Sequence, residues 1–135
     1  MIIIEPLTKD NLEEVSTLAN SVFGHQDSAP RVGYKASFDK GALQDLNKRN
    51  TDTFNWFKYW VARDSETDTI VGTTGIYEQK SDAHEACWLG WYFVVSAYRQ
   101  RGIGKELLEF AIGEARKLGK QYLRLFTSTN PRSDG

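Results

Sequence analysis

The sequence predicts a mixed α/β fold of the α+β kind, with a mainly antiparallel central sheet flanked by helices. Three features predict it. Residues 54–64 (FNWFKYWVARD), 69–80 (TIVGTTGIYEQK) and 85–95 (EACWLGWYFVV) are dense in aromatic and β-branched side chains, and only short polar gaps part them. Upstream, Leu12, Val15, Ala19 and Val22 recur at helical spacing, and downstream Ile103, Leu107, Ala111, Ala115 and Leu118 do the same. The third β-rich segment runs into that second helix through Gly102 and Gly104.

The elements follow in order. Ile2–Glu5 is short, β-branched and closed by Pro6, as suits a first strand. Asp10 with Glu13 makes a capping box for a helix over about residues 11–23, which Gly24 ends. The next stretch, GHQDSAPRVGYKASF, is polar and broken by Pro30 and Gly33, so it reads as a long connection before a helix through Phe38, Ala42, Leu43 and Leu46. SETDT then turns a hairpin, and EACWLGWYFVV, apolar almost throughout, suits a strand buried on both faces. Three consecutive antiparallel strands are expected. Gly119 beside Lys117 and Lys120 closes the last helix, and YLRLF, Tyr122–Phe126, forms the last strand. No repeat or low-complexity tract divides residues 1–135, so a single domain is expected.

Bulk numbers narrow the class. With 135 residues and 40% hydrophobic content the chain can bury one core. Seventeen basic and eighteen acidic residues, spread along the chain, argue against bulk electrostatic binding of nucleic acid. The lone Cys87 forms no internal disulfide, and His25 and His84 lie too far apart for a structural zinc site. Met1–Ile4 meets Glu5-Pro6 far short of a signal or membrane span, and a cytoplasmic location without membrane or metal partners is the expectation.

The segment Tyr98–Leu108, YRQRGIGKELL, carries the chemistry. A helix N-terminus leaves several N–H groups without partners and carries partial positive charge, so it attracts an anion. Glycine lets a phosphate oxygen reach the backbone, and Arg99, Arg101 and Lys105 add charge. By itself a G-x-G asks for no more than a tight turn. It is no P-loop, because Arg99 stands where the first glycine belongs and Glu106 replaces the hydroxyl residue. It is no dinucleotide fingerprint either, because Leu107 occupies the third glycine position.

What remains resembles the Gcn5-related N-acetyltransferase (GNAT) superfamily, whose signature [RQ]-x-x-G-x-[GA] reads here Arg99-x-x-Gly102-x-Gly104. The likeness extends from Leu89 to Pro131 as strand, turn, helix, strand and Asn-Pro, and the upstream order of elements fits as well. The resemblance implies an acyl-CoA N-acyltransferase-like fold and acetyl-CoA as cosubstrate. It implies that Gln100, Arg101, Gly102, Ile103, Gly104 and Lys105 cradle the CoA diphosphate, that Tyr92, Phe93 and Val94 pair with the pantetheine arm, and that Asn130 touches CoA. Gly90 marks a bulge where the strand splays.

Acetyl transfer to an amine needs a neutral amine, a polarised thioester carbonyl and a protonated leaving thiolate. Backbone N–H groups near Val94 suit the carbonyl, and Glu78 and Glu85 are the candidate bases, although a solvated carboxylate at a hairpin rim reads the same way. The tryptophans 56, 60, 88 and 91 suit a core, with one or two near an acceptor groove, and Cys87 suits a small buried hydrophobe. The resemblance also implies a further helix, two strands and an acid tyrosine after Asn130-Pro131, which this sequence does not carry. The expectation is therefore an N-acetyltransferase for a small-molecule or peptide amine, or else a CoA-binding module without turnover, with a homodimer as one way to complete the sheet.

Overall fold

The computed structural model describes residues 1–24 and 29–125. The elements are β1 (Ile2–Pro6), α1 (Leu12–Phe23), α2 (Ala29–Ala36), α3 (Lys40–Arg49), β2 (Phe54–Asp64), β3 (Thr69–Gln79), β4 (Ala86–Leu89), β5 (Phe93–Val94), α4 (Ile103–Lys117) and β6 (Tyr122–Arg124). Strands β1, β2, β3 and β4 follow one another antiparallel in one sheet, β6 joins β4 parallel, and β5 pairs with β3. The expected mainly antiparallel sheet flanked by helices is the fold observed.

Period-two alternation assigns the two faces. Phe57, Tyr59 and Val61 of β2 pack with Val15, Ala19 and Tyr34 under α1 and α2. On the other face Trp60, Ile76 and Cys87 meet Ala111 and Ala115 of α4, while Ala62, Val71 and Val94 meet Ile103 and Leu107. Cys87 is fully buried, as expected of a small hydrophobe, and burial pushes its thiol pKa up. Complete burial of side chains such as Val15, Ile76 and Leu107 stabilises the fold by roughly 1.5–3 kcal/mol each.

Four expectations need correction. The capping box is Thr8 with Asn11: the Asn11 carboxamide accepts from Thr8 N–H at 2.9 Å, and the Thr8 hydroxyl accepts from Asp10 N–H at 3.3 Å. It closes a 3-10 turn that leads into α1, so the Asp10–Glu13 pair does no capping. Residues 29–36 form a helix where a connection was expected. Pro30 sits in its first turn, where no N–H is needed, and Gly33 faces Trp91 and Tyr59, where a Cβ would stand 3.2 Å from the indole nitrogen.

The third correction concerns EACWLGWYFVV, which is two strands. Leu89 faces Ile76 and Phe93 faces Thr73, so Gly90, Trp91 and Tyr92 span a stretch that needs only Thr74 and Gly75 on β3. This is a bulge, at the glycine where a splay was expected. Last, β6 ends at Arg124 among the described residues, while Phe126, Asn130 and His25 lie outside them.

Candidate functional site

The strand-to-helix turn comes first. Gln100 (φ 66°) and Gly102 (φ 82°) both take left-handed backbone, which swings the chain sharply into α4. No side chain caps this helix, and among the described residues the N–H groups of Gly102, Ile103, Gly104 and Lys105 donate to no acceptor. A Cβ on Gly102 would meet nothing within 4 Å, so the backbone lies open there. Arg101 lies over the Tyr98 ring at 4.7 Å, and Lys105 is largely exposed. Arg99 turns away: its Nε donates to Val94 C=O at 3.0 Å and fastens the turn to β5. Open amides, bare glycine and two nearby cations fit a diphosphate.

The bulge comes next. Trp91 N–H donates to the Tyr59 hydroxyl at 3.3 Å, and Trp91 C=O accepts from the Thr73 hydroxyl at 3.0 Å. The Thr73 proton is thereby used, so the Tyr34 hydroxyl donates to Thr73 Oγ1 at 2.9 Å. Burial raises the pKa of both tyrosines, and each remains a neutral phenol. One residue on, Tyr92 points to the opposite face and its hydroxyl donates to Gly104 C=O at 2.6 Å. The bulge is thus fixed from the core on one side and tied to the α4 turn on the other.

Beyond the bulge, Val95 N–H bonds Val71 C=O at 2.8 Å, so by antiparallel alternation the polar groups of Val94 face away from β3. Strand β6 pairs with Ala86–Trp88 of β4 and, among the described residues, does not reach Phe93–Val94. Among the described residues the sheet therefore opens at β5, where the resemblance implied a splay.

On the α2 side of the bulge lies a cleft of about 340 Å³. Its walls are mainly Phe54, Phe57, Tyr59, Tyr77 and Trp91, with Val32, Gly33 and Leu46 from α2 and α3. Asn50 adds an amide, and Gly90 lets the cleft meet the bulged backbone. Burial raises the pKa of the Tyr77 phenol, helped by the Asp82 charge and opposed by a hydrogen bond with Gln79.

The two candidate carboxylates are spoken for. Glu78 accepts from Asn55 at 2.6 Å and pairs with Lys120, both members of that pair being nearly buried; Lys120 also donates to Ala83 C=O. Glu85 pairs with Arg124, which bridges to Asp82, and Asp82 accepts from the Trp88 indole at 3.0 Å. Among the described residues, no group of three or more metal-binding side chains exists. The turn residues 100–105 and the bulge residues Tyr92–Val94 are thus brought together, whereas Glu78 and Glu85 belong to the latch that holds β6. Sequence reasoning missed Tyr34, Tyr59 and Thr73; the available signal was the pair Gly75 and Gly90, strand glycines of the kind that mark close approach.

Comparison with known proteins agrees with this geometry. Residues 25–134 match the model of the acetyltransferase (GNAT) family. The chain belongs to the GNAT family. Among solved structures, this GNAT chain resembles a GNAT acetyltransferase from Staphylococcus aureus Mu50 at 21% identity and TM-score 0.66, covering 94% of this chain and 73% of that one. It resembles glucosamine-6-phosphate N-acetyltransferase from Arabidopsis thaliana at 16% identity and TM-score 0.63, covering 96% and 84%. It also resembles the aminoglycoside N-acetyltransferase AAC(6')-Iy, solved with the bisubstrate analogue CoA-S-monomethyl-acetylneamine, at 18% identity and TM-score 0.62, covering 98% and 83%. At such identities these likenesses speak for the fold. No curated protein matches the chain.

Proposed function

We propose that this GNAT chain is an N-acetyltransferase that moves acetyl from acetyl-CoA directly to a primary amine. The observation that carries the reading is the bulge, because neighbouring residues Trp91 and Tyr92 face the cleft and the α4 turn from one stretch of backbone. The amides of Gly102, Ile103, Gly104 and Lys105, with Gln100 and Arg101 beside them, bind the diphosphate. Tyr92, Phe93 and the outward N–H of Val94 orient the pantetheine arm, and Asn130, which the resemblance links to CoA, lies outside the described residues. Acetyl-CoA supplies the thioester: the amine nitrogen bonds the carbonyl carbon, the carbon–sulfur bond breaks, and the amine proton ends on the thiol. Tyr34, Tyr59 and Thr73 keep the bulged backbone in place for that encounter.

Calorimetric titration with acetyl-CoA, paired with thiol release over an amine panel, tests this. Gly104→Asp places a carboxylate where the diphosphate binds, and its Cβ would stand 3.2 Å from the Tyr92 hydroxyl. An acidic residue in the first helical turn suits the helix itself, so the fold is retained. The expected loss of acetyl-CoA affinity is roughly tenfold or more. Unchanged affinity would overturn the cradle, and binding without thiol release over the panel would assign a CoA-binding module instead.

A further inference from the structure

We infer that the acceptor is a small primary amine with an aromatic or otherwise apolar body, held in the cleft between α2, α3 and the bulge. The inference rests on the transfer reaction proposed above and names its acceptor class. Among the described residues that line the cleft, none is Asp, Glu, Lys or Arg. A polycation would lose its hydration there with no carboxylate in return, and a sugar phosphate would find no cation. Five aromatic side chains instead form an apolar wall whose rings brace one another: Phe57 and Tyr77 stack at 5.3 Å, and Phe54 meets Tyr77 edge-on at 5.6 Å. A volume of about 340 Å³ suits one small ring with a short side chain.

The same walls treat the amine itself. A single ammonium group is tolerated over aromatic faces, while removal from water lowers its pKa and favours the neutral nucleophile. Glu78 and Glu85 are occupied by Lys120 and Arg124, so desolvation in this cleft does work that a free carboxylate would otherwise do. The amine then lies next to Gly90, where the cleft meets the bulged backbone.

The test is a titration of the chain with 2-phenylethylamine, spermidine and glucosamine 6-phosphate, each with and without CoA, followed by calorimetry and by the assigned tryptophan indole resonances. Phenylethylamine is expected to bind at least tenfold tighter than the other two, to shift the Trp91 indole signal and to leave that of Trp60 in place. Trp91→Ala is expected to weaken it at least fivefold, and the indole signals of the unaltered chain keep the test decisive if that variant unfolds. Absence of saturable phenylethylamine binding, equal or tighter binding of spermidine or the sugar phosphate, or an unmoved Trp91 signal would each overturn the inference. Binding is read without turnover, so thiol release judges the transfer reaction separately.

Discussion

Tyr59 occupies space that two glycines leave open. A Cβ on Gly75 would stand 2.2 Å from its ring, and one on Gly90 would stand 2.5 Å from its hydroxyl. Gly90→Ala therefore forces the ring or the bulge to move, at a cost of about 1–3 kcal/mol in urea unfolding. Tyr59→Leu in the same chain should recover part of that loss, and strict additivity of the two changes would refute the contact. A second residue pair sets an acid dependence. The Tyr98 hydroxyl donates to Asp64 at 2.6 Å, and with the Glu66 N–H at 3.0 Å it holds the Asp64 carboxyl below its usual pKa. A depressed folded pKa contributes stability above the unfolded value, near 3.9, that is lost as pH falls through the folded one. Tyr98→Phe is accordingly expected to lower Tm at pH 7 and to matter progressively less below pH 4; an equal loss at pH 7 and pH 3 would exclude this cause.

At the scale of elements, β6 has a ladder of three residue pairs, and side chains do much of its fastening. Lys120, at the turn between α4 and β6, pairs with Glu78 at the end of β3, and Arg124 reaches back to Asp82 and Glu85. Removing one member of a buried pair strands the other, so Lys120→Ala should cost about 3–5 kcal/mol. Adding Glu78→Gln should return much of it, and a loss below about 1 kcal/mol would show the pair to be solvated. This latch was illegible in the sequence, because Glu78 and Lys120 are 42 residues apart and each alone reads as a surface charge. The α4 turn was legible, because glycines, flanking charge and helical spacing are all local. Helix α2 was hidden by Pro30 and Gly33, which read as breakers until the first-turn position and the Trp91 contact explain them. The bulge was half legible, since Gly90 marked the place while the tyrosines and threonine that hold it lie on α2, β2 and β3.

At the scale of the molecule, the sheet separates two candidate binding regions that the bulge connects. The aromatic cleft lies on the α2 side, the open amides lie at the N-terminus of α4 on the other, and Trp91 and Tyr92 face one each. Neither region obstructs the other, so the two substrates of the proposed reaction would be able to occupy the protein together. A covalent relay would need a nucleophile between them. Cys87 is fully buried against α4, and burial raises its pKa, which disfavours the thiolate. The proposed reaction should therefore run through a ternary complex. Initial rates over a matrix of both substrates are expected to give intersecting double-reciprocal lines, and intact-mass spectra after acetyl-CoA alone are expected to show no added acetyl group. Parallel lines together with an acetylated protein would place a covalent step in the pathway and overturn direct transfer, while leaving the fold and the family unchanged.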